Sequence, residues 1–291
     1  MSKFKILCIV IKGFLYKWLV DLRILSIPQL NSSSNLIISL TSYGRRVGKD
    51  VVYYTIVSIL RQSVQPSKII LWLAEDEWND STLSKRLLSL KEKGVLIKYC
   101  KDIRSYKKLI PTLKDYPNND IMTIDDDIIY NKDSIKRVLD THKRHPKAII
   151  SMCTADPIIV NGIPNKYNEW KEHSTSACGF LLFPIGYGGI YYPKGCLHSD
   201  IMKDELFMEL CPAADDIWFW FCGLLNGSEK IFVPKSHTDY SFDALYQYFH
   251  KGSALTHSNR LEHANDKQFR DLFEHYHAKI NNKGKLEYHI C

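Results

Sequence analysis

Strand-like and helix-like apolar patterns alternate between residues 36 and 124. The strand patterns lie at residues 36–40, 68–73, 95–99 and 121–124. Between them, helical spacing of apolar residues runs over about 50–62, 83–93 and 105–113, and Gly94 is suited to a left-handed cap after the second. Such alternation is typical of a mostly parallel sheet with helices on both faces, whose ligands bind at the carboxyl ends of the strands. The sequence therefore predicts an α/β fold, with a single domain over residues 36–291.

The first 30 residues form a separate apolar segment, followed by the polar linker 31–35. Within its stretch 4–25, Lys12 and Lys17 would each cost roughly 2.5–3.5 kcal/mol near a bilayer centre. No small-residue cleavage site follows, so neither a membrane span nor a secretory signal is expected. Two alternatives stay open: a helix packed on the protein's own body, and a helix in contact with a membrane surface.

The net charge of the chain limits which classes of partner are expected, and its cysteine pattern indicates the cellular compartment. The formal charge of +7 favours a protein that binds anions, either phosphate-bearing substrates or acidic lipids. No arginine-rich stripe, zinc-finger spacing or RNA-binding aromatic motif is present, so nucleic acid is not expected as a partner. The eight cysteines contain no CxxC pair, which favours reduced thiols. We therefore expect a cytoplasmic protein, with peripheral attachment to the inner face of the cytoplasmic membrane as the alternative.

An acidic run, Asp125-Asp126-Asp127, directly follows the apolar strand pattern at 121–124. If the strand continued, its alternation would place Asp125 and Asp127 on one side and Asp126 on the other. Three like charges at the end of a buried strand repel one another unless a cation neutralises them. Mn²⁺ and Mg²⁺ prefer carboxylate oxygens and keep positions for substrate phosphates. The run therefore predicts a metal or nucleotide site rather than a solvated acidic turn.

A second acidic pair, Asp215-Asp216, opens a helical pattern over about 215–226. One of the two is well placed as the helix N-cap, a role that does not require both. A carboxylate at a helix start can also act as a general base toward an acceptor hydroxyl. Asp216 is the favoured candidate for that role, with Asp215 as the second.

Three further segments carry groups that suit a sugar nucleotide. Lys107 and Lys108 lie near the start of a predicted helix, where an N-terminus favours diphosphate, and Arg45 and Arg46 follow the first strand. For each of these four cations the alternative is a solvent-facing side chain. The segment 186–192 combines glycines that allow close approach with rings that pack on a sugar, and its alternative is a turn in the core.

Taken in order and spacing, these motifs resemble the family 2 glycosyltransferases, in their bacterial surface-polysaccharide branch that makes capsule or lipopolysaccharide. The matching segments are residues 38–43, 58–63, 68–71, 125–127 and 215–218. The resemblance implies a GT-A fold, Rossmann-like, with a nucleotide-binding half at 36–130 and an acceptor or catalytic half at 131–291.

The resemblance also implies roles for individual residues. Asp125 would lie near the ribose with Asp126 assisting, and Asp127 would hold Mn²⁺ or Mg²⁺, with Asp125 as a further ligand. The family usually ends its second strand with an acidic base-binding residue, whereas Leu73-Ala74 stands here, so Glu75 is the substitute. Independently of the resemblance, His257 is the candidate third metal ligand from the C-terminal side, with His237 as the alternative. The family's C-terminal segment instead emphasises asparagine and Asn-Asp pairs, matched here by Asn259, Asn265 and Asp266. The full nucleotide-binding set is Thr41, Ser42, Tyr43, Arg45, Glu75, Lys107, Lys108, Asp125 and Asp126.

The implied reaction is inverting transfer of a hexosyl or N-acetylhexosaminyl group. The donor would be a nucleotide-diphosphate sugar, with a UDP-sugar favoured, and the acceptor a saccharide or lipid-linked saccharide. Two alternatives stay open. A sugar nucleotidyltransferase would need a glycine-rich loop where Thr41-Ser42-Tyr43-Gly44 stands, and an inactive scaffold for polysaccharide assembly would not need the intact acids.

Overall fold

The computed structural model describes residues 3–172, 177–233, 240–241, 264–281 and 284–288, and only the backbone of residues 3–10, 172, 240 and 241. The chain divides into two compact units. The first comprises Met1–Asp102, Lys107–Asp140 and Lys235–Lys251, and the second comprises Ile103–Tyr106, Thr141–Pro234 and Gly252–Cys291.

Four parallel strands form the sheet of the first unit. Their spatial order is β4 (Asp120–Thr123), β1 (Leu36–Thr41), β2 (Lys68–Ala74) and β3 (Val95–Cys100). Strand β1 lies between β4 and β2, and Leu36 to Leu40 are all buried, as expected of a parallel strand covered on both faces. The α/β class predicted from the sequence is confirmed by this arrangement.

The described helices of the first unit are short apart from the N-terminal one. They are α1 (Lys3–Asp21), α2 (Gly44–Gly48), α3 (Val51–Leu60), α4 (Lys85–Leu88) and α5 (Ile110–Asp115). A two-residue strand β5 (Ile128–Ile129) pairs antiparallel with β15 (Tyr240–Ser241). Helix α6 (Ser134–Arg144) contains the boundary between the units. None of the helices in the described part of the chain has the length and apolar content of a transmembrane span.

Helix α3 positions the acidic segment. All ten of its residues are buried, which is expected of a helix that is apolar on every side. Its threonine and serine hydrogen-bond to the segment that contains the acids. Thr55 Oγ1 donates to the carbonyl of Asp126 at 2.9 Å, and Ser58 Oγ accepts from the backbone N–H of Tyr130 at 3.1 Å. These contacts fix the backbone to α3 within the turn, at Asp126, and after it, at Tyr130.

Two of the predicted helices differ in detail from the structure. The pattern at 83–93 becomes α4 followed by a 3-10 turn, Ser89–Lys93, which ends at Gly94 with φ 87°, so the left-handed cap is confirmed. The single helix predicted at 105–113 is wrong, because a 3-10 turn, Arg104–Lys108, is followed by a separate helix α5. Pro111 is the reason: it lacks an N–H and clashes with the preceding turn, so it is tolerated only where a helix starts.

The second unit contains shorter strands. Its larger sheet has the order β11 (Cys178–Gly179), β14 (Lys230–Phe232), β6 (Ile149–Ser151) and β13 (Ile190–Tyr192), with β14 parallel to β6 and the other pairs antiparallel. A second sheet is antiparallel, in the order β10 (Lys171–Glu172), β7 (Thr154–Asp156) and β12 (Phe183–Pro184). Two hairpins are β8 (Ile159–Val160) with β9 (Ile163–Pro164), and β16 (Lys279–Ile280) with β17 (Leu286–Glu287).

Aromatic packing joins the described helices of the second unit. These helices are α7 (Asp204–Leu210), α8 (Asp215–Leu225) and α9 (Ala264–His275), with 3-10 turns at Tyr167–Glu169, Gly186–Gly188 and Ser199–Met202. Phe269 of α9 packs with its ring centroid 5.7 Å from that of Trp220 in α8 and 5.1 Å from that of Trp170. Offset and edge-on ring pairs of this kind add to the burial energy. The helical pattern predicted from residue 261 is confirmed from Ala264 onward, and 261–263 lie outside the described residues.

Candidate functional site

The carboxyl edge of the first unit's sheet gathers the predicted nucleotide-binding segments. Ser42 follows β1, Asp125 to Asp127 follow β4 after one intervening residue, and Glu75 follows β2. Because these strands are parallel neighbours, the segments leave the sheet at the same edge. The sheet therefore brings residues about eighty positions apart in the chain within reach of one another.

Two of the three acids share one cation. Arg46 Nη1 lies 2.5 Å from Asp126 Oδ1, and Arg46 Nη2 lies 3.1 Å from Asp127 Oδ2. Ser42 Oγ donates to the other oxygen of Asp126 at 2.5 Å. We call these four residues, Ser42, Arg46, Asp126 and Asp127, the Arg46 cluster. The carboxylate side chains are only 5% and 6% exposed, so the negative charge that the sequence placed here is held inside the protein.

The arrangement of the acids differs from the one that strand alternation predicts. Strand β4 ends at Thr123, and Asp126 and Asp127 lie in a turn. Alternation of side chains does not apply within a turn, so Asp126 and Asp127 face the same guanidinium instead of opposite sides. Asp125 is the outlying member: its side chain is 32% exposed, and its backbone N–H donates to Tyr130 Oη at 3.2 Å.

Burial and charge in the Arg46 cluster leave the pKa values of both Arg46 and Asp126 above their ordinary values. Burial acts to lower the pKa of Arg46, but the carboxylates of Asp126 and Asp127 outweigh it, and the pKa lies above its ordinary value. Burial raises the pKa of Asp126, and Arg46 and Ser42 oppose that rise. The buried acids therefore depend on Arg46 for their counter-charge.

The lysine pair separates into two roles. Lys108 is buried, with Nζ 3.8 Å from Asp125 Oδ1, so it adds positive charge at the same edge of the sheet. Lys107 is also buried, but it pairs with Asp102. Both residues end a 3-10 turn, so the predicted helix N-terminus is not what presents them.

The other predicted nucleotide-binding residues are more exposed. Thr41 Oγ1 donates to the carbonyl of Trp72 at 2.9 Å, a contact between neighbouring strands. Tyr43 is 50% exposed with its ring 5.8 Å from the Arg46 guanidinium, and Arg45 and Glu75 are exposed. Glu77, which sequence reasoning did not single out, accepts from the backbone N–H of Gly44 at 2.8 Å. Glu77, which lies just after β2, therefore fixes the turn that follows β1.

The donor atoms of the Arg46 cluster suit a hard divalent cation. One cation already bridges the carboxylates of Asp126 and Asp127, and Mg²⁺ is commonly bound by one or two carboxylates together with substrate phosphates. Among the described residues, no group of three or more His, Cys, Asp or Glu side chains is arranged around a metal position. The candidate third ligand, His257, lies outside the described residues.

In the second unit, the predicted base contacts the glycine-rich segment. Asp216 Oδ2 accepts from the backbone N–H of Gly186 at 2.8 Å. Neither acid is the N-cap of α8, because Ala214 occupies that position and the helix begins at Asp215. Both carboxylates therefore lie in the first turn of α8.

The segment 186–192 has fewer available rings than its composition suggests. Tyr191 and Tyr192 of β13 are buried, at 0% and 3% exposure, whereas Tyr187 is 39% exposed. The turn that holds Tyr187 approaches the backbone of Met152 and Cys153 closely at Gly188. Tyr187 is thus the ring of this segment that can meet a ligand without rearrangement of the core.

Two contacts of the site had no sequence signal strong enough to find them. Arg46 and Arg45 are adjacent and were equivalent by position, and only the turn at 126–127 shows that Arg46 faces the acids. Thr55 belongs to none of the sequence motifs, yet its hydroxyl donates a hydrogen bond to the carbonyl of Asp126. A buried hydroxyl in an all-apolar helix was the available clue, because such groups are almost always hydrogen-bonded.

Comparisons with known proteins give remote similarities. No protein-family model and no curated protein matches the chain. Among solved structures, it is similar to S. aureus TarS 1–349 in complex with UDP, at 15% identity and a TM-score of 0.47 over 82% of this chain and 71% of that one. It is also similar to 4-diphosphocytidyl-2C-methyl-D-erythritol synthase, at 9% identity and a TM-score of 0.45 over 74% of this chain and 95% of that one. Similarities this remote establish neither a family nor an activity for the chain.

Proposed function

We propose that the chain is an inverting, divalent-metal-dependent glycosyltransferase of GT-A type. It transfers a hexosyl or N-acetylhexosaminyl group from a UDP-sugar to a saccharide or lipid-linked saccharide in the synthesis of a bacterial surface polysaccharide. The observation that carries the proposal is the buried Arg46 cluster at the carboxyl edge of a parallel sheet, the edge at which such sheets bind nucleotides. The motif resemblance supports the sugar-nucleotide class of donor.

Residues of the first unit supply the donor site in this proposal. Asp127 and Asp126 would hold Mn²⁺ or Mg²⁺, and a bound cation offsets the charge of a departing diphosphate. Asp125 lies beside Lys108 in the same segment and is assigned to the ribose or to the cation. Lys108 brings a buried positive charge to the edge where a diphosphate is expected. Arg46 holds the two buried carboxylates toward one position, and a bound metal ion would replace Arg46 at the oxygens that it contacts here.

Asp216 is assigned to the acceptor. The proton of the acceptor hydroxyl passes to the Asp216 carboxylate as the hydroxyl oxygen attacks the anomeric carbon and the nucleoside diphosphate departs. The contact from Gly186 N–H fixes the orientation of this carboxylate at the start of α8. Asp215 is the second candidate and is more deeply buried, at 7% exposure.

The test is a donor-consumption assay with a panel of nucleotide sugars and Mn²⁺. We expect release of UDP from one UDP-sugar, and an Asp127→Asn variant slower by at least about 100-fold. Asp76→Asn, an exposed acid near the end of β2, is the matched control and should retain wild-type rates. Wild-type activity in Asp127→Asn would overturn the metal assignment. A parallel assay supplies a nucleoside triphosphate and a sugar 1-phosphate, and release of pyrophosphate there would show a nucleotidyltransferase instead.

The base is tested with the transfer reaction once a donor is known. Asp216→Asn should lower kcat by roughly 100-fold to 10,000-fold, because general-base catalysis contributes an effect of that size. UDP affinity, measured by calorimetry, should be unchanged, since the residue is assigned to the acceptor. If Asp215→Asn abolishes transfer and Asp216→Asn does not, the roles of the two acids are reversed. An absence of nucleotide affinity in the wild-type chain would favour the scaffold.

A further inference from the structure

Helix α1 presents a continuous apolar stripe to solvent. Its members lie three, four, seven and eleven residues after the first, the spacing of one helix face, and Leu22 continues the helix by bonding its N–H to the carbonyl of Trp18 at 3.0 Å. We call this set the α1 stripe: Ile11, Phe14, Leu15, Trp18 and Leu22, exposed by 55%, 61%, 51%, 57% and 52%. Five large apolar side chains in one row are not the scattered exposure that is usual on a protein surface.

The opposite side of the same helix packs on the first unit. Gly13 and Val20, seven residues apart, are buried there, and Val20 is only 3% exposed. Asp21 fastens the end of the helix, because its Oδ1 accepts from Tyr54 Oη at 2.8 Å and pairs with Arg86. The helix is therefore docked with a fixed rotation, and that rotation turns the α1 stripe outward.

Basic side chains border the α1 stripe. Lys12 and Arg23 are exposed, and Lys17 lies on the other flank, with Nζ 5.7 Å from the centroid of the Tyr54 ring. The one acid of this part of the helix, Asp21, is neutralised by Arg86. An apolar face with cationic borders and a central tryptophan is the pattern of a helix that lies in a membrane interface.

We propose that the α1 stripe inserts into the surface of an anionic membrane and holds the chain there as a peripheral protein. The apolar side chains enter the boundary between headgroups and acyl chains, and Lys12, Lys17 and Arg23 meet the anionic headgroups. In this proposal one face of α1 packs on the protein's own body and the opposite face contacts the membrane, so the two alternatives left open by the sequence apply to different faces of one helix. The proposal does not depend on the proposed function, because it concerns the surface of α1 alone.

Charge decides between a lipid surface and a second copy of the chain. Because both borders of the α1 stripe are basic, two copies that paired through their stripes would bring like charges together in either helix orientation. The formal charge of +7 adds to that repulsion between copies and to the attraction for anionic lipid. The α1 stripe therefore fits an anionic bilayer better than it fits itself.

The experiment is co-sedimentation of the full chain with vesicles of phosphatidylcholine alone or mixed with phosphatidylglycerol. We expect binding at least about tenfold tighter to the mixed vesicles, and weaker as salt is raised. A triple variant, Phe14→Ser, Leu15→Ser and Trp18→Ser, should lower that binding by at least about 100-fold. The matched control replaces two exposed apolar residues of the second unit, Ile158→Ser and Val160→Ser, which are 41% and 45% exposed, and should bind as the wild type does.

Thermal unfolding of each variant shows that it is folded, and donor consumption in the absence of lipid is measured separately. Equal binding of the triple variant and the wild type would overturn the proposal, as would equal binding to neutral and anionic vesicles. Sedimentation velocity tests self-association. If the wild type forms a dimer, does not bind vesicles, and the triple variant is a monomer, the α1 stripe is an interface between two copies of the chain. Loss of donor consumption with intact vesicle binding would count against the proposed function alone.

Discussion

At the scale of single residues, Arg46 is the side chain on which the donor site depends. It is the cation that the buried carboxylates of Asp126 and Asp127 share. Its neighbour Arg45 is exposed, although the two are alike in type and adjacent in the chain. The predicted nucleotide-binding set named Arg45, but sequence position gave no reason to prefer it, because the choice depends on the path of the turn after β1.

Removing this counter-charge should destabilise the fold in a way that metal repairs. Arg46→Ala should lower the free energy of unfolding by about 3 kcal/mol, since it leaves buried carboxylates without their cation. Added Mn²⁺ should restore part of that loss, because the same oxygens then hold the ion. Urea denaturation with and without MnCl₂ measures both effects, and Arg45→Ala should change stability by no more than about 0.5 kcal/mol. A variant that Mn²⁺ leaves unchanged would contradict the proposed metal position.

Lys230 gives a second prediction at this scale, in the second unit. It is wholly buried in β14, where Nζ donates to the carbonyl of Phe180 at 2.8 Å, and burial lowers its pKa to about 7. The unfolded chain keeps the proton up to its ordinary pKa of about 10.4. Between these values the unfolded state binds more protons, so raising the pH favours the folded state, by up to about 1.4 kcal/mol per pH unit.

Lys230→Met should therefore be more stable than the wild type at pH 7, and the gap should narrow as the pH rises toward 10. Urea denaturation at several pH values measures the difference between the two chains, which cancels the titration of the shared cysteines and tyrosines. Lys171→Met, at an exposed position, is the control and should show no such slope. A gap that stays constant from pH 7 to 10 would mean that Lys230 is charged in the folded protein.

At the scale of elements, the strands were the best predicted and the helix ends the worst. Each of the four strand patterns of the first unit falls on an observed strand, because parallel strands covered on both faces are mostly apolar, and the partly buried β3 still begins with Val95, Leu96 and Ile97. The helix predicted at 105–113 was broken by Pro111, and the predicted cap at Asp215 or Asp216 is Ala214. Caps depend on backbone angles and on what faces the helix start, and residue type alone does not fix either.

The 3-10 turn at Gly186–Gly188 gives the prediction at this scale. A Cβ added to Gly188 would lie 2.9 Å from both the backbone N and the Cβ of Cys153, so backbone would have to move. We expect Gly188→Ala to destabilise the protein by about 1–3 kcal/mol, measured by thermal or urea unfolding. It should also disturb the Gly186 contact to Asp216 in the same turn.

Gly179 is the matched control for that substitution. A Cβ there meets no atom within 4 Å, so Gly179→Ala should be neutral or slightly stabilising. If both alanine variants are equally stable, the close approach at Gly188 does not constrain the turn.

At the scale of the whole molecule, the two compact units divide the predicted chemistry between them. The first contains the Arg46 cluster and all of the predicted nucleotide-binding half, 36–130, except residues 103–106. The second contains Asp216 and the glycine-rich segment. The boundary predicted at 130/131 stays a prediction, while the compact units divide within α6, between Asp140 and Thr141.

The parallel α/β sheet and the acidic run just beyond the end of a buried strand can be predicted from the amino-acid sequence alone. Both are local properties, since apolar periodicity and a run of carboxylates can be read over a few neighbouring residues. Only the folded chain shows that Arg46 rather than Arg45 contacts the acids, because Arg46 and Asp126 lie 80 positions apart in the sequence. It also shows that Asp126 and Asp127 both face Arg46. It likewise decided which side of α1 is covered. Such contacts follow from strand order and from the rotation at which a helix docks, which no short window of sequence contains.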